Sequence, residues 1–556
     1  MACDLSDLTD GRAGGGGSGA AGGSGASGPG PGGASIGGAG GSGAQGGAGG
    51  EGGACEVESP FTWLLELGNS TSQAIYTTDL LGVVASSIRV ASVPEPLGGG
   101  FVLAIVTEGP SPFDGTGDGR TLYLARYSSE GMLEEVRAHP QPPGGGEHVF
   151  VLSDLFVDEG GTVYAAGLAG REDVTLLTAT ATPLILPNTA PDGDLVGDDG
   201  AAALIMTFDL QGSALAGARL ESKTTNGDLT APKLFQLGDE VGVAGVSRNG
   251  FTGLACTALN ATGNAKFGYV LVLEDATLTQ CSRAFRFEST PSAALEISAA
   301  TTDGASVFVG GRFSLSAGDQ INFHATPMPP WLLTSGGNQG LLLAFDGATL
   351  APKWVTAVEG GGVDDRVFGL GFDAATSTLW AVGSGTRGGA TAATSTVTRK
   401  FSATTETPTT CLLEHLGAGA RANVLSLDPS GSCLAAARLS PGSEARATLD
   451  GTPWVAGFAA HDPASTLTTF VVGDPAPSVA NGLILSPTQT RGAVSQTGAL
   501  VGGKVAVRIE DLALVGGEVV VVGTMGERFL DLTCETSAPP GGFDFFVGAL
   551  DPAAIP

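Results

Sequence analysis

Short apolar runs alternate with Gly, Asp, Ser and Pro along most of the chain, and the pattern is clearest at residues 294–357. There ALEISAATTDGASVFVGGRF begins at Ala294 and, after a polar insert, GLLLAFDGATLAPKWVTAVEG begins at Gly340. Four apolar runs follow in order, at 295–299, 307–310, 341–345 and 354–357. Asp, Gly and Thr separate the first two and the last two, as they do in hairpin-linked antiparallel strands. No segment sustains a 3.6-residue period, so helix is expected to be nearly absent.

The unit recurs. A β-rich run ending in a small residue reads VLAIV at Val106, VYAAG at Gly167, VGVAG at Gly245, VFVGG at Gly311, LWAVG at Gly383, CLAAA at Ala437 and VVVVG at Gly523. These second strands repeat roughly every 70 residues, the spacing of a repeat architecture. Third strands follow at Leu122, Leu204, Tyr269, Leu341, Val397, Trp454 and Phe545, and fourth strands at Leu133, Leu215, Leu278, Trp354, Cys411 and Leu467. The run after Phe545 has no fourth strand behind it, whereas FTWLLELG at 61–68 has no unit before it and compares with CLLEHLG at 411–417. Pairing the two removes an exposed sheet edge. The expectation is all-β: a seven-bladed β-propeller of four-stranded blades over 55–556, its last blade completed by the N-terminal strand. An open stack of sheets is the alternative.

Composition adds a second region. Residues 13–53 are almost wholly Gly, Ala and Ser, so 1–54 is expected to be a disordered Gly-rich tether that cannot bury enough apolar surface to fold. The chain opens Met1-Ala2-Cys3, and Ala-Cys is how a bacterial lipoprotein processing site ends, which makes Cys3 a candidate lipidated residue. No apolar stretch has the length of a membrane-spanning helix, so membrane association is expected only through such an anchor. Twenty-six Lys and Arg face 56 Asp and Glu, for a net charge of -30, and no basic run offers a nucleic acid partner its phosphate contacts.

The units ASVFVGGRF with GLLLAFDGATLAPKW, and GEVVVVGTMGERFLDLTC with GGFDFFVGALDP, resemble the SBBP-type β-propeller repeats of secreted and lipid-anchored bacterial proteins. The resemblance implies an extracytoplasmic propeller and carries no established activity. Units one, five and six depart from it: Ala437 stands where Gly is usual, and TVTRKFSA is a weak third strand. FDGATLAPKW at 345–354 also looks like the tryptophan-docking motif of quinoprotein propellers, with Trp63 as its one equivalent. Without a full set around the ring, the reading is a Trp filling the gap between blades and no cofactor.

Catalytic templates find little. None of the five His has HExxH spacing, no GxSxG elbow leads into a helix, and GALVGGKV at 498–505 lacks the hydroxyl of a phosphate loop. Asp114, Thr116 and Asp118 in DGTGDG match the first half of a calcium loop, although Leu122 and Ala125 stand where later ligands belong. Asp192, Asp194, Asp198 and Asp199 form a second acidic cluster with less pattern. Calcium is thus the one metal the sequence leaves open. First-strand positions carry Arg89, Asp154, Glu296, Arg366 and Glu510, a mixed set rather than a catalytic ring.

Seven cysteines leave six once Cys3 is set aside, with no zinc spacing among them. Cys256 and Cys534 each lie 11 residues beyond the second-strand glycine of their unit, and Cys281 occupies a fourth-strand position. Repeat register therefore pairs Cys256 with Cys281 and Cys55 with Cys534, leaving Cys411 and Cys433 as expected free thiols. The leading functional expectation is a monomeric, non-catalytic binding or surface-scaffold propeller for a protein or carbohydrate ligand. The alternative is a hydrolase or lyase-like propeller enzyme with its site at the channel mouth.

Overall fold

A computed structural model describes residues 61–554 apart from 68–72, 75–87, 114–118, 143–149, 189–201, 223–231, 261–265, 324–331, 387–396, 411–419, 461–467, 473–479, 526–543 and shorter connecting stretches. The chain divides into two units, Met1–Glu51 and Gly52–Pro556, and every described residue belongs to the second.

That unit is almost entirely β-structure, and its sheets form a ring. Sheet 1 runs, from the inside outward, Ile88–Ser92, Phe101–Glu108, Arg120–Tyr127 and Leu133–Pro140. Sheet 2 repeats the order with Phe150–Val157, Val163–Ala169, Ala202–Phe208 and Ala214–Ser222, and sheet 3 with Lys233–Leu237, Glu240–Arg248, Lys266–Leu273 and Cys281–Ser289. Sheet 4 is Ala294–Thr302, Ser306–Leu315, Gly337–Asp346 and Pro352–Glu359; sheet 5 is Arg366–Asp373, Thr378–Thr386, Ala420–Leu427 and Cys433–Leu439. The closing sheet takes Val507–Val515, Glu518–Met525 and Asp544–Leu550 from the end of the chain and Phe61–Leu67 from its beginning, paired antiparallel from Phe61 opposite Leu550 to Leu67 opposite Phe545. These six sheets are wholly antiparallel. Between sheet 5 and the closing sheet stands a mixed one, Gly442–Thr448, Val455–Ala460, Ala480–Thr490 and Ala493–Gly503, with Thr468–Val472 added parallel to its last strand.

The expectation of seven equal four-stranded antiparallel blades is therefore corrected: six sheets share a core of four antiparallel strands, four of them extended by further strands, and the remaining one is mixed. The strand assignment in the middle of the chain also changes. Val397–Ser402, read as a third strand, joins the outside of sheet 4 as a fifth. Ala437, read as a second strand, lies on the outer strand of sheet 5, and Trp454 immediately precedes a second strand, Val455–Ala460, rather than beginning a third. Ala437 thus stood in place of a glycine only because it was set in the wrong column.

The core is a set of apolar seams between neighbouring sheets rather than one central mass. Phe101, Tyr127 and Phe545 fill the seam between the closing sheet and sheet 1, and Phe287, Phe313 and Phe345 that between sheets 3 and 4. Inner strands touch in turn around the ring, with Ile88–Ser92 packed between Val507–Val515 and Phe150–Val157. Sheets buried on both faces explain why the strands read as continuous apolar runs with little alternation; Val163–Ala169 and Ala202–Phe208 are buried throughout.

The second-strand glycines have a steric cause. The inner strands of sheets 2, 4, 5 and the closing sheet each carry a one-residue bulge, at which the strand register skips Ser153, Ser298, Phe368 and Glu510 beside Gly167, Gly311, Gly383 and Gly523. A Cβ on Gly311 or Gly383 would lie 1.9 Å from the carbonyl oxygen of Glu296 or Arg366. Only glycine admits that approach. Sheet 1 has an unbulged inner strand, and there the chain carries Ile105 and Val106 instead.

Candidate functional site

The bulges place charged side chains where inner strands meet. In the closing sheet Asp511 follows the bulged Glu510. Its carboxylate accepts the main-chain N–H of Leu512 at 3.0 Å and, across the seam, that of Val90 in sheet 1 at 3.2 Å. Arg89, next to Val90, reaches back to the carbonyl oxygen of Glu510 at 3.5 Å. The arrangement repeats between sheets 2 and 3. Asp154 follows the bulged Ser153 and accepts the N–H groups of Leu155 at 3.0 Å and Leu234 at 2.8 Å, while Lys233, next to Leu234, donates to the carbonyl oxygen of Ser153. Each is a reciprocal latch: an acid takes a main-chain donor of the next sheet, and a cation from that sheet takes a main-chain acceptor of the first.

A third seam keeps half of this device. Ser298, the bulged residue of sheet 4, donates its hydroxyl to the carbonyl oxygen of Val367 in sheet 5. Arg366 precedes Val367 as Arg89 precedes Val90, but Ala299 stands where the latch would need an acid.

Asp511, Arg89, Asp154 and Lys233 thus form a row of alternating charge on four successive inner strands. Burial pushes Asp511 up to about 6, with Asp154 adding to the effect and Arg89 and the Val90 N–H opposing it. Burial likewise brings Lys233 down to about 8, against the attraction of Asp154. An acid and an amine displaced toward neutrality are what proton-transfer catalysis uses. Here, however, the carboxylates and the amine are engaged by main-chain groups, and Lys233 is only 8% exposed.

Of the first-strand charges marked in the sequence, the structure brings Arg89, Asp154 and Glu510 into these latches. It sets Glu296 in an ion pair with Arg312 on the adjoining strand and leaves Arg366 at the start of sheet 5. Lys233 and Asp511 were missed. The signal available was the pair of dipeptides Asp154-Leu155 and Asp511-Leu512, each about one blade ahead of a Lys-Leu or Arg-Val start across the ring seam.

The tryptophans dock between blades. Trp354, on the outer strand of sheet 4, donates its indole N–H to the carbonyl oxygen of Pro429 at 2.9 Å and lies over Gly431, in the turn of sheet 5. Trp63, on the outer strand of the closing sheet, covers Gly131 in the turn of sheet 1 in the same way. Pairing register puts Arg283, not Cys281, at the level of Trp354, and Arg283 reaches the next turn through the carbonyl oxygen of Gly347 at 3.1 Å.

Cys256 and Cys281 form a disulfide with a Cα–Cα distance of 5.4 Å. Cys433 is disulfide-bonded as well, which corrects the expectation of a free thiol; its partner lies outside the described residues. So do Cys3, Cys55, Cys411 and Cys534, the loop residues Asp114, Thr116 and Asp118, and the Asp192 to Asp199 cluster. Among the described residues no group of three or more His, Cys, Asp or Glu side chains could hold a metal, and no helix is long and apolar enough to cross a membrane.

No protein-family model matches this sequence, and no curated protein is significantly similar to it. The fold alone places the chain, as a β-propeller.

Proposed function

We propose that this chain is a non-catalytic, extracytoplasmic binding or scaffold propeller that displays one face to a protein or carbohydrate ligand. The observation that carries this reading is the commitment of the inner-strand charges to main-chain partners, which makes them parts of the ring. Antiparallel alternation supports the display. Connections between inner and second strands, and between third and outer strands, share one face, and there they are tight turns such as Asp158–Thr162 and Asp209–Ser213. The long connections, from Ala169 to Ala202, Leu315 to Gly337, Thr386 to Ala420 and Met525 to Asp544, belong to the opposite face. Insertions gathered on one face of a repeat protein are its usual recognition surface. Phe61 opposes Leu550 at the tight-turn face, so the strand Phe61–Leu67 starts on the side away from those connections. The Cys256–Cys281 disulfide suits an oxidising compartment, and a lipid on Cys3 would tether the disc there.

The test is to probe the full-length protein against glycan and peptide arrays and, in parallel, against chromogenic glycoside, ester and uronate substrates. The proposal expects saturable binding without turnover. Turnover that disappears in Asp154→Asn or Lys233→Met would instead establish the enzyme alternative, the reading favoured by the displaced Asp511 and Lys233.

A further inference from the structure

The connection between the second and third strands of sheet 2 folds into a hairpin of its own, Val174–Leu177 paired with Pro183–Leu186, separate from the blade sheets. It lies across the seam between sheets 1 and 2. Leu186 covers Gly217 of the outer strand of sheet 2, and Val174, Leu176 and Leu186 are buried. The other side of the hairpin meets the outer strand of sheet 1 without strand pairing. Three alternate side chains, two of that strand and one just beyond its end, supply the hydrogen bonds instead. Arg137 donates to the carbonyl oxygen of Thr178 at 2.6 Å, and Gln141 both donates to the carbonyl oxygen of Thr175 at 3.0 Å and accepts its N–H at 3.1 Å. Between them stands His139, completely buried against Phe208.

Both ring nitrogens of His139 are used. Nδ1 receives the N–H of Leu177 at 2.8 Å, so it carries no proton, and Nε2 must then be the donor to the carbonyl oxygen of Gly212 at 2.9 Å. One imidazole in one tautomer joins the outer strand of sheet 1, the hairpin, and the turn of sheet 2. A proton added at Nδ1 sets N–H against N–H at Leu177 and breaks that bond.

We infer that the Val174–Leu186 hairpin is an acid-released strap, closed across the seam by neutral His139 and opened when solvent delivers a proton to Nδ1. Burial first, and Arg137 next, bring the imidazole down to about 4, against the Gly212 bond that favours the cation. The charged groups around it are Arg137 and Glu135 on its own strand, Asp209 in the turn, Asp173 ahead of the hairpin, and the Arg219–Glu221 ion pair on the outer strand of sheet 2. Opening would uncover Val174, Leu176 and Leu186.

The test is pepsin digestion of the full-length protein across the acid range, with hairpin cleavage read by mass spectrometry and overall packing by near-ultraviolet circular dichroism. Cleavage of the wild type should rise on the order of tenfold per pH unit as pH falls from about 6 toward 4 and level off below about 4, before the near-ultraviolet signal is lost. His139→Asn, which keeps an acceptor for Leu177 and takes no proton, should stay resistant, as should His139→Gln. Asp209→Asn should keep the wild-type pH profile. If both His139 variants fail to fold, 15N-histidine spectra of the wild type decide: above pH 5 the buried imidazole should show protonated Nε2 and bare Nδ1. The opposite tautomer, pH-independent cleavage, or a His139 variant that follows the wild-type curve would overturn the inference.

Discussion

Val90 gives its main-chain N–H to the Asp511 carboxylate across the seam that joins the last sheet to the first. The bond is part of ring closure, and it has a pH signature. Asp511 lies at about 6 in the fold against an ordinary 3.8, so its contribution to stability is full below about pH 3.8 and is lost as pH rises through 6. Asp511→Asn cannot titrate. Between pH 7 and pH 4 the stability difference should move in favour of the wild type by on the order of 3 kcal/mol. Thermal melts of both proteins at the two pH values check this.

Lys233 works in the other direction. Its pKa of about 8 lies below the ordinary 10.5, so its contribution is full above about 10.5 and is lost as pH falls through 8. Compared with Lys233→Met, the wild type should gain stability from pH 7 to pH 10, as read by denaturant midpoints. The two groups together place a stability minimum near neutral pH.

Gly311→Ala and Gly383→Ala should each cost about 2–4 kcal/mol, because the added Cβ meets a bulged carbonyl that cannot retreat without breaking the inner strand. Ala437→Gly, on an outer strand, should cost roughly 1 kcal/mol or less. Urea denaturation of the three variants gives the comparison.

Trp354→Ala should cost about 3–5 kcal/mol through the emptied gap over Gly431 and the lost bond to Pro429. Opening the Cys256–Cys281 disulfide by the double change Cys256→Ala, Cys281→Ala should cost roughly 3 kcal/mol on the chain-entropy account of its 25-residue separation. Calorimetry reads both.

Much of the ring was legible in the sequence because its rules are local. Turn residues between apolar runs marked the hairpins, the orphan strand at 61–68 found its place beside Asp544–Leu550, and Trp354 and Trp63 read as fillers between blades. The middle of the chain misled because CLAAARL carries the small residues of a second strand without the bulge that requires them; Cys433–Leu439 is small where it packs on the outside. The latches were half legible. Arg89, Asp154 and Glu510 stood out as charges in apolar strands, but their partners are main-chain groups of another sheet, which no side-chain pattern records. The role of His139 depends on a hairpin that reaches it from 38 positions away.

The central claim is that the inner-strand charges hold the ring together. Thermal unfolding of Asp154→Ala tests it most directly. The substitution strips Leu155 and Leu234 of their acceptor and leaves the Lys233 cation buried without its neighbouring acid, so the melt should fall by the equivalent of about 3–5 kcal/mol at pH 7. An Asp154→Ala protein that melts with the wild type would contradict the account.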